Sequence, residues 1–352
     1  MRTGATRIVF GSLALAPGGG GVQTYCRELL TALVPLLPES DLRATVRVTA
    51  RSELPAGVHG VIRPDVKGVL RAGAGALPVS GALFHGLDVD LPLSSLGAVT
   101  VATIHDLSVF DTPWASRAVR AAGERALLHH SLRRADALIA VSRFTAERIR
   151  SLTGRTATVT PLAPGSWARP PSEDEIARVR ELYDLPSEFV LHVGAIEPRK
   201  APGVVAQACR RVGLPFVLAG AGSAGGRRPP AGTYGLGYVP RSDLPALYRA
   251  ATVTAYASHY EGFGLPPIEA MACGGAVIAS AVGALPDVVF DGAVLVDGLD
   301  PDDWAATLRT IVHDSGRRDE LVAAGMRAAG ALTWTRTAEH TVEVYRRTGV
   351  SL

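Results

Sequence analysis

The segment Ser258-His259-Tyr260-Glu261-Gly262-Phe263-Gly264-Leu265-Pro266-Pro267-Ile268-Glu269-Ala270 carries the densest chemistry in this 352-residue chain. Glu261 and Glu269 have seven residues between them, comprising a glycine-rich turn and the start of a helix. A carboxylate accepts hydrogen bonds from vicinal sugar hydroxyls. Glu269 therefore suits a ribose diol and Glu261 a hexose, while the amides of Phe263, Gly264 and Leu265 suit an anionic or hydroxylated ligand. Helix capping explains either glutamate alone and explains the set poorly. Upstream, Gly194-Ala195-Ile196-Glu197-Pro198-Arg199-Lys200 places two cations just before a helix. The chain uses 34 Arg and only two Lys, Lys67 and Lys200, so a Lys beside an Arg departs from its habit. Arg clamps a phosphate with two donors and Lys adds a point charge. The pair suits a diphosphate held without a metal; an exposed surface pair is the competing reading.

Two further groups lie in the first half. Gly18-Gly19-Gly20-Gly21 stands between a strand and the helix Val22–Val34, where backbone can approach a ligand and helix amides can meet an anion. The pattern is not G-x-G-x-x-G, and no acidic residue closes the second strand, so a dinucleotide is weakly supported. His105-Asp106 closes the strand Thr100–Ile104. His105 there can bond a substrate hydroxyl or phosphate, or act as a base oriented by Asp106. A structural pair capping the loop is the alternative, and the same choice applies to His85 after Ala82–Phe84.

These groups need strand edges to hold them. Short apolar runs predict strands at Arg7–Phe10, Ala44–Val48, Ala82–Phe84, Thr100–Ile104, Ala137–Val141 and Ala157–Thr160. A second set follows at Phe189–Val193, Phe216–Ala219, Tyr234–Leu236, Val253–Ala255, Val277–Ala279 and Ala293–Val296. Helical patterns alternate with them, including Ser116–Arg133, Arg143–Leu152 behind an N-capping Ser142, and Gly264–Cys273. The alternation predicts an α/β protein of two doubly wound parallel-sheet domains, 1–165 and 173–330, joined by the proline-rich stretch 161–172. Ligands of such sheets bind beyond the strands' carboxyl ends, so a cleft between the two domains is expected.

Composition narrows the class. No segment approaches the roughly 20 consecutive apolar residues of a membrane-spanning helix, and the start runs straight into a strand without a signal-peptide pattern. Three scattered cysteines, Cys26, Cys209 and Cys273, suit a reduced cytoplasmic chain. Residues 1–165 carry 18 basic and 12 acidic side chains, an excess that favours a phosphorylated or lipid-linked partner and peripheral contact with the membrane's inner face. No basic run interleaved with aromatics supports nucleic-acid binding. No metal is expected. Asp302-Asp303 opens a helix after Pro301, and Asp88-Val89-Asp90 lies in an N-terminal loop away from the Arg199-Lys200 and Glu261–Glu269 segments.

With EGFGLPPIEAMACG, GAIEPRK, the glycines before Val22, IHDL at 104–107, AVSRFT at 140–145 and GYVPRSDLPALYRAA at 237–251, the chain resembles the retaining glycosyltransferases of family 4. The resemblance implies the GT-B fold, with two Rossmann-like domains facing a cleft. It places the nucleoside diphosphate sugar donor on the C-terminal domain and the acceptor mostly on the N-terminal one, with the helix 333–347 returning to the N-terminal domain. Arg199 and Lys200 would then hold the diphosphate and Glu269 the ribose. Glu261 with Gly262, Phe263, Gly264 and Leu265 would hold the transferred sugar. Tyr238, Val239 and Leu244 would lie at the base, Gly20 and Gly21 at the diphosphate, and His105 beside the reacting centre. Many members carry an Arg directly after the glycine that corresponds to Gly194; here Ala195 follows, which shifts that role to Arg199.

The implied reaction is hexose transfer to a hydroxyl of a glycan, lipid-linked sugar or small molecule. It proceeds with retention by front-face attack, the leaving phosphate taking the acceptor proton, and without a cofactor. GDP-mannose is the first donor choice, then UDP-glucose or UDP-N-acetylglucosamine. A nucleotide-sugar epimerase on a similar scaffold and a non-enzymatic binding protein are the rival readings.

Overall fold

A parallel strand buried on both faces needs apolar residues throughout rather than at alternate positions, and the short apolar runs of this chain become such strands. The computed structural model describes every residue except 1–4, 67–74, 76, 78–79, 89–90, 116–117 and 225–231. The chain divides into two compact units, residues 1–162 with 333–352, and residues 163–332.

In the first unit, β1 (Arg7–Gly11), β2 (Asp41–Arg47), β3 (His59–Arg63), β4 (Leu83–Gly86), β5 (Val99–Ile104), β6 (Ala137–Ala140) and β7 (Thr158–Val159) form one sheet. Its order is β3-β2-β1-β4-β5-β6-β7. In the second unit, β8 (Val190–Val193), β9 (Phe216–Ala219), β10 (Thr233–Gly237), β11 (Val253–Tyr256), β12 (Val277–Ser280) and β13 (Val294–Val296) are ordered β10-β9-β8-β11-β12-β13. All of these pairings are parallel. Both orders reverse direction once, between β1 and β4 and between β8 and β11. Such a switch point opens a crevice at the strands' carboxyl ends. Arg199-Lys200 follow β8 and Glu261 follows β11, so topology alone brings the two motifs to one edge.

The structure adds elements that the sequence pattern hides. β3 has no counterpart among the expected strands. It lies at the sheet edge and is only partly buried, so it lacks an apolar run. β7 spans two residues rather than four, also at an edge. The helices Ser108–Asp111 and Leu285–Val289 are too short to show a 3.6-residue period. The helix expected from Ser116 is described from Ala118 to Arg134. Local chemistry fixes the longer helices. The Ser142 hydroxyl accepts from the Thr145 amide, and Ser172 with Glu175 forms a reciprocal capping box. Among the described residues, no helix is long and apolar enough to cross a membrane.

Each unit has its own core. In the second, Trp304 is fully buried among Val190, Phe216, Val253, Ile278 and Leu308, and its Nε1 donates to the Gly298 carbonyl at 3.3 Å. In the first, the helix Trp334–Arg347 packs against the helix Gly21–Leu33, and the Thr337 hydroxyl donates to the Pro161 carbonyl at 2.6 Å. Truncating Trp304 removes the largest buried side chain of the second unit. Trp304→Ala is expected to cost about 3–5 kcal/mol, read as an earlier urea transition by far-UV circular dichroism. A transition at the wild-type midpoint would contradict that packing role.

Candidate active site

The site in the second unit is built from the loops after β8 and β11. The chain leaves β8 through Gly194 and turns through the short helix Pro198–Lys200. It then reverses at Ala201, a non-glycine residue in the left-handed region at φ 41°. Such a conformation is strained and persists only where its surroundings enforce it. Here the Arg199 carbonyl accepts from the His259 amide at 2.8 Å and from the Ser258 hydroxyl at 3.1 Å, locking the two loops together. A third loop joins from β12. Ala284 donates its amide to the Glu261 carbonyl at 2.9 Å, and Gly283, at φ +58°, lies where a Cβ would approach that carbonyl to 2.2 Å. Only glycine fits there.

Within this frame Glu261 Oε1 accepts from Lys200 Nζ at 2.6 Å and from Arg199 Nη1 at 3.2 Å. All three side chains are largely buried. Burial alone would push the Glu261 carboxyl up, but Lys200 and then Arg199 hold it below the ordinary carboxylate range. Lys200 is itself held below the ordinary lysine range, first by burial and further by Arg199, with Glu261 only partly offsetting. Two cations share the Glu261 carboxylate, with Glu197 adding a weaker negative field at Lys200. His192 on β8 adds no charge near neutrality, because burial pulls its imidazole down to about 4.

Glu269 lies on the helix Leu265–Ala272 and is buried. Its charge and that of Glu261 both raise the Tyr256 phenol, after burial as the main cause, so Tyr256 lies within electrostatic reach of both carboxylates. Gly264 caps this helix at φ +99°, where a Cβ would meet Leu285 Cδ2 at 2.4 Å. Pro266 and Pro267 lack N–H groups, so the donors at this terminus come from Phe263, Gly264 and Leu265, whose amides meet no backbone acceptor among the described residues. Tyr238 and Val239 follow β10, two strands from β8, which is roughly 10 Å along the edge at ordinary strand spacing. Tyr238 is exposed, Val239 is buried, and Leu244 begins the helix Leu244–Ala250. Sequence reasoning missed Tyr256, His192 and Ser258. Tyr256 and His192 sit inside apolar strand runs, and Ser258 reads as an ordinary loop residue; their one visible signal is position at or beside a strand's carboxyl end.

The first unit places its candidates at the equivalent edge. Gly20 and Gly21 are exposed at the start of the helix Gly21–Leu33, which has no side-chain cap and no acid in its first turn. His105 follows β5, with its Nε2 2.8 Å from the Leu87 carbonyl and its ring edge-on to Tyr25 at 4.7 Å. Asp106 does not orient it: its Oδ1 accepts from the Ser108 amide and hydroxyl at 2.9 and 2.7 Å, the loop-capping role. His85 is a core histidine. It is fully buried, with Nδ1 at 2.6 Å from the Tyr345 hydroxyl and Nε2 at 2.8 Å from the Thr103 hydroxyl, and burial pulls it down to about 3. Of the acidic pairs weighed for a metal, Asp302 instead meets Arg211 at 2.9 Å, and Val89 and Asp90 lie outside the described residues. Among the described residues, no group of three or more His, Cys, Asp or Glu side chains is placed to hold a metal.

Two parallel-sheet α/β units, each with a strand-order reversal, define the GT-B class, and solved structures agree. Sucrose-phosphate synthase from Thermosynechococcus elongatus superposes at a TM-score of 0.76, with 23% identity over 97% of this chain and 99% of that one. Anabaena HepE in complex with UDP and glucose gives 0.74, with 16% identity over 97% and 99%. The sequence is more specific. The family model for glycosyl transferases group 1 matches residues 173–327. O-antigen chain mannosyltransferase B of Escherichia coli is 34% identical over 75% of this chain and 74% of its own length. A D-inositol 3-phosphate glycosyltransferase of Thermomonospora curvata is 33% identical over 93% and 90%. The chain belongs to the group 1 glycosyltransferases, and it is a transferase enzyme.

The shared carboxylate has a pH consequence. Glu261 has a lower pKa folded than unfolded, so its ion pairs contribute stability that is present above the ordinary carboxylate range and lost as pH falls through the depressed value. Lys200→Met removes one cation and lets burial raise the carboxyl. The variant is expected to lose stability at a higher pH than wild type on acidification, and to be weaker at neutrality by about 1–3 kcal/mol. Urea titrations between neutral and acidic pH check this; superimposable acid limbs would contradict the shared pairing.

Proposed function

We propose that the enzyme moves a hexose from a nucleoside diphosphate sugar to an acceptor hydroxyl with retention of anomeric configuration. The observation that carries this reading is the pair Arg199-Lys200 sharing the single carboxylate of Glu261 at the switch point of the second sheet. A diphosphate would bring its negative charge against these two cations. As the glycosidic bond breaks, charge builds on the leaving phosphate, and donors already fixed there stabilise it without reorganising. Arg199, Lys200 and the loop amides fill that role in this reading, and no metal is invoked. Gly20 and Gly21, at the uncapped start of their helix, are assigned to the same diphosphate.

Glu261 is assigned to the sugar rather than to bond making. A carboxylate held by two cations is a weak base and a weak nucleophile, yet keeps lone pairs for sugar hydroxyls. Proton transfer from the acceptor then falls to the leaving phosphate, on the same face as attack, with His105 beside the reacting centre. Glu269 takes the ribose diol. Tyr238, Val239 and Leu244 take the base, a separation along the sheet edge that suits the length of a nucleoside diphosphate.

GDP-mannose is the first donor, its mannosyl group supported by the name of the Escherichia coli relative, with UDP-glucose, supported by the HepE complex with UDP-glucose, or UDP-N-acetylglucosamine next. The acceptor is a hydroxyl of a glycan, a lipid-linked sugar or a small molecule. Relatives named for an O-antigen chain and for an inositol phosphate span that range. The basic first unit, with Trp114 exposed, suits peripheral contact with an anionic membrane surface. Neither the epimerase nor the binding-protein reading is favoured by the family found.

Incubation of the purified protein with GDP-mannose, UDP-glucose and UDP-N-acetylglucosamine in the presence of EDTA tests this reading. Slow release of sugar from one donor is expected, reduced about 10²–10³-fold in Lys200→Ala and strongly in Glu261→Gln. Undiminished turnover in both variants would sink the assignment.

A further inference from the structure

Lys200 has a second buried partner. Its Nζ donates to the Tyr256 hydroxyl as well as to Glu261, and it lies 4.7 Å from the centroid of the Tyr256 ring. An ammonium has three N–H donors. Two are committed to oxygens on β11 and on the loop after it. The Lys200 side chain keeps 12% of its surface exposed, and its third donor meets no acceptor among the described residues.

Tyr256 is itself held in place. It is 1% exposed, and its ring stacks on the imidazole of His192 at 5.6 Å with the planes 13° apart. His192 is fully buried, with its Nδ1 3.2 Å from the Ala255 carbonyl, the residue just before Tyr256, while its Nε2 has no partner. The imidazole therefore serves as a platform fixed by one backbone bond. It stands on β8 and Tyr256 on β11, the two strands that flank the switch point. The lysine stem is flexible. Without the hydroxyl, the ammonium has Glu261 as its one side-chain acceptor and turns further toward it, away from a ligand.

We propose that Tyr256, backed by His192, is a positioning residue that aims the third N–H of Lys200 at the donor diphosphate. This rests on the donor-site reading above and assigns a role to two residues outside it. Nothing in the role requires Tyr256 to touch the ligand; its hydroxyl meets both Lys200 and Glu261, so its loss should be felt through that pair.

The experiment is calorimetric titration of the full chain with GDP and UDP, with GMP and UMP as controls, in wild type, Tyr256→Phe, His192→Ala and Lys200→Ala. Tyr256→Phe is expected to weaken the preferred diphosphate about tenfold and to leave the monophosphate and the thermal midpoint unchanged. His192→Ala, which keeps the hydroxyl and removes its platform, is expected to show the same selective loss in weaker form. Wild-type diphosphate affinity in Tyr256→Phe, with Lys200→Ala still impaired, overturns the role of Tyr256 and leaves the donor site standing. An equal loss for di- and monophosphates in both variants marks a merely structural role and also overturns it. Undiminished diphosphate affinity in Lys200→Ala overturns the donor site as well.

Discussion

Burying a carboxylate is costly unless it is paired and hydrogen-bonded, and the second unit is arranged around one such group. Glu261 sits where the loops after β8, β11 and β12 meet, and each loop is fixed with respect to it. Arg199 and Lys200 bond its side chain, Ser258 and His259 tie its loop to the Arg199 carbonyl, and Ala284 bonds its own carbonyl. Gly283 leaves the only space in which that last bond can form. In the proposed function this cluster is a preorganised anion site, because the cost of gathering its charges is met on folding rather than on binding.

The first unit handles its buried polar groups in the opposite way. Tyr345, His85, Thr103 and Tyr25 form a continuous chain of hydrogen bonds across the C-terminal helix, β4, β5 and the helix Gly21–Leu33. No charge is left over, since burial keeps His85 neutral. Such a satisfied network fixes geometry. It ties the last helix to the strands whose ends carry His105, and Trp334 adds a ring contact to Tyr25 at 6.1 Å. Two histidines at neighbouring strand ends thus differ in kind: His85 is locked into the core and His105 remains partly exposed.

Much of this was legible in the sequence, and the reasons are physical. Parallel strands buried on both faces leave unbroken apolar runs, so the central strands β1, β5, β6, β8, β9, β11 and β12 are readable. The edge strand β3 is not, because a half-solvated edge carries mixed residues, and β7, also at an edge, is shorter than its expected run. Arg199, Lys200 and Glu261 stood out because charged residues clustered beside glycine and proline at strand ends seldom serve packing. What the sequence hid was the pairing among them. Arg199 and Lys200 read as free cations, and their common carboxylate, 61 residues on for Lys200, appears only once β8 and β11 are neighbours. Tyr256 and His192 were invisible for a related reason: inside an apolar run, an aromatic residue reads as core until its hydroxyl or ring nitrogen is located.

The position of the diphosphate itself tests the account most directly. A crystal structure of the full chain with a bound nucleoside diphosphate is predicted to place phosphate oxygens within about 3 Å of both Arg199 and Lys200, with Lys200 still bonded to Glu261 and Tyr256. A diphosphate bound elsewhere on the chain, with the Arg199-Lys200-Glu261 cluster undisturbed and untouched, would contradict the claim that this cluster binds it.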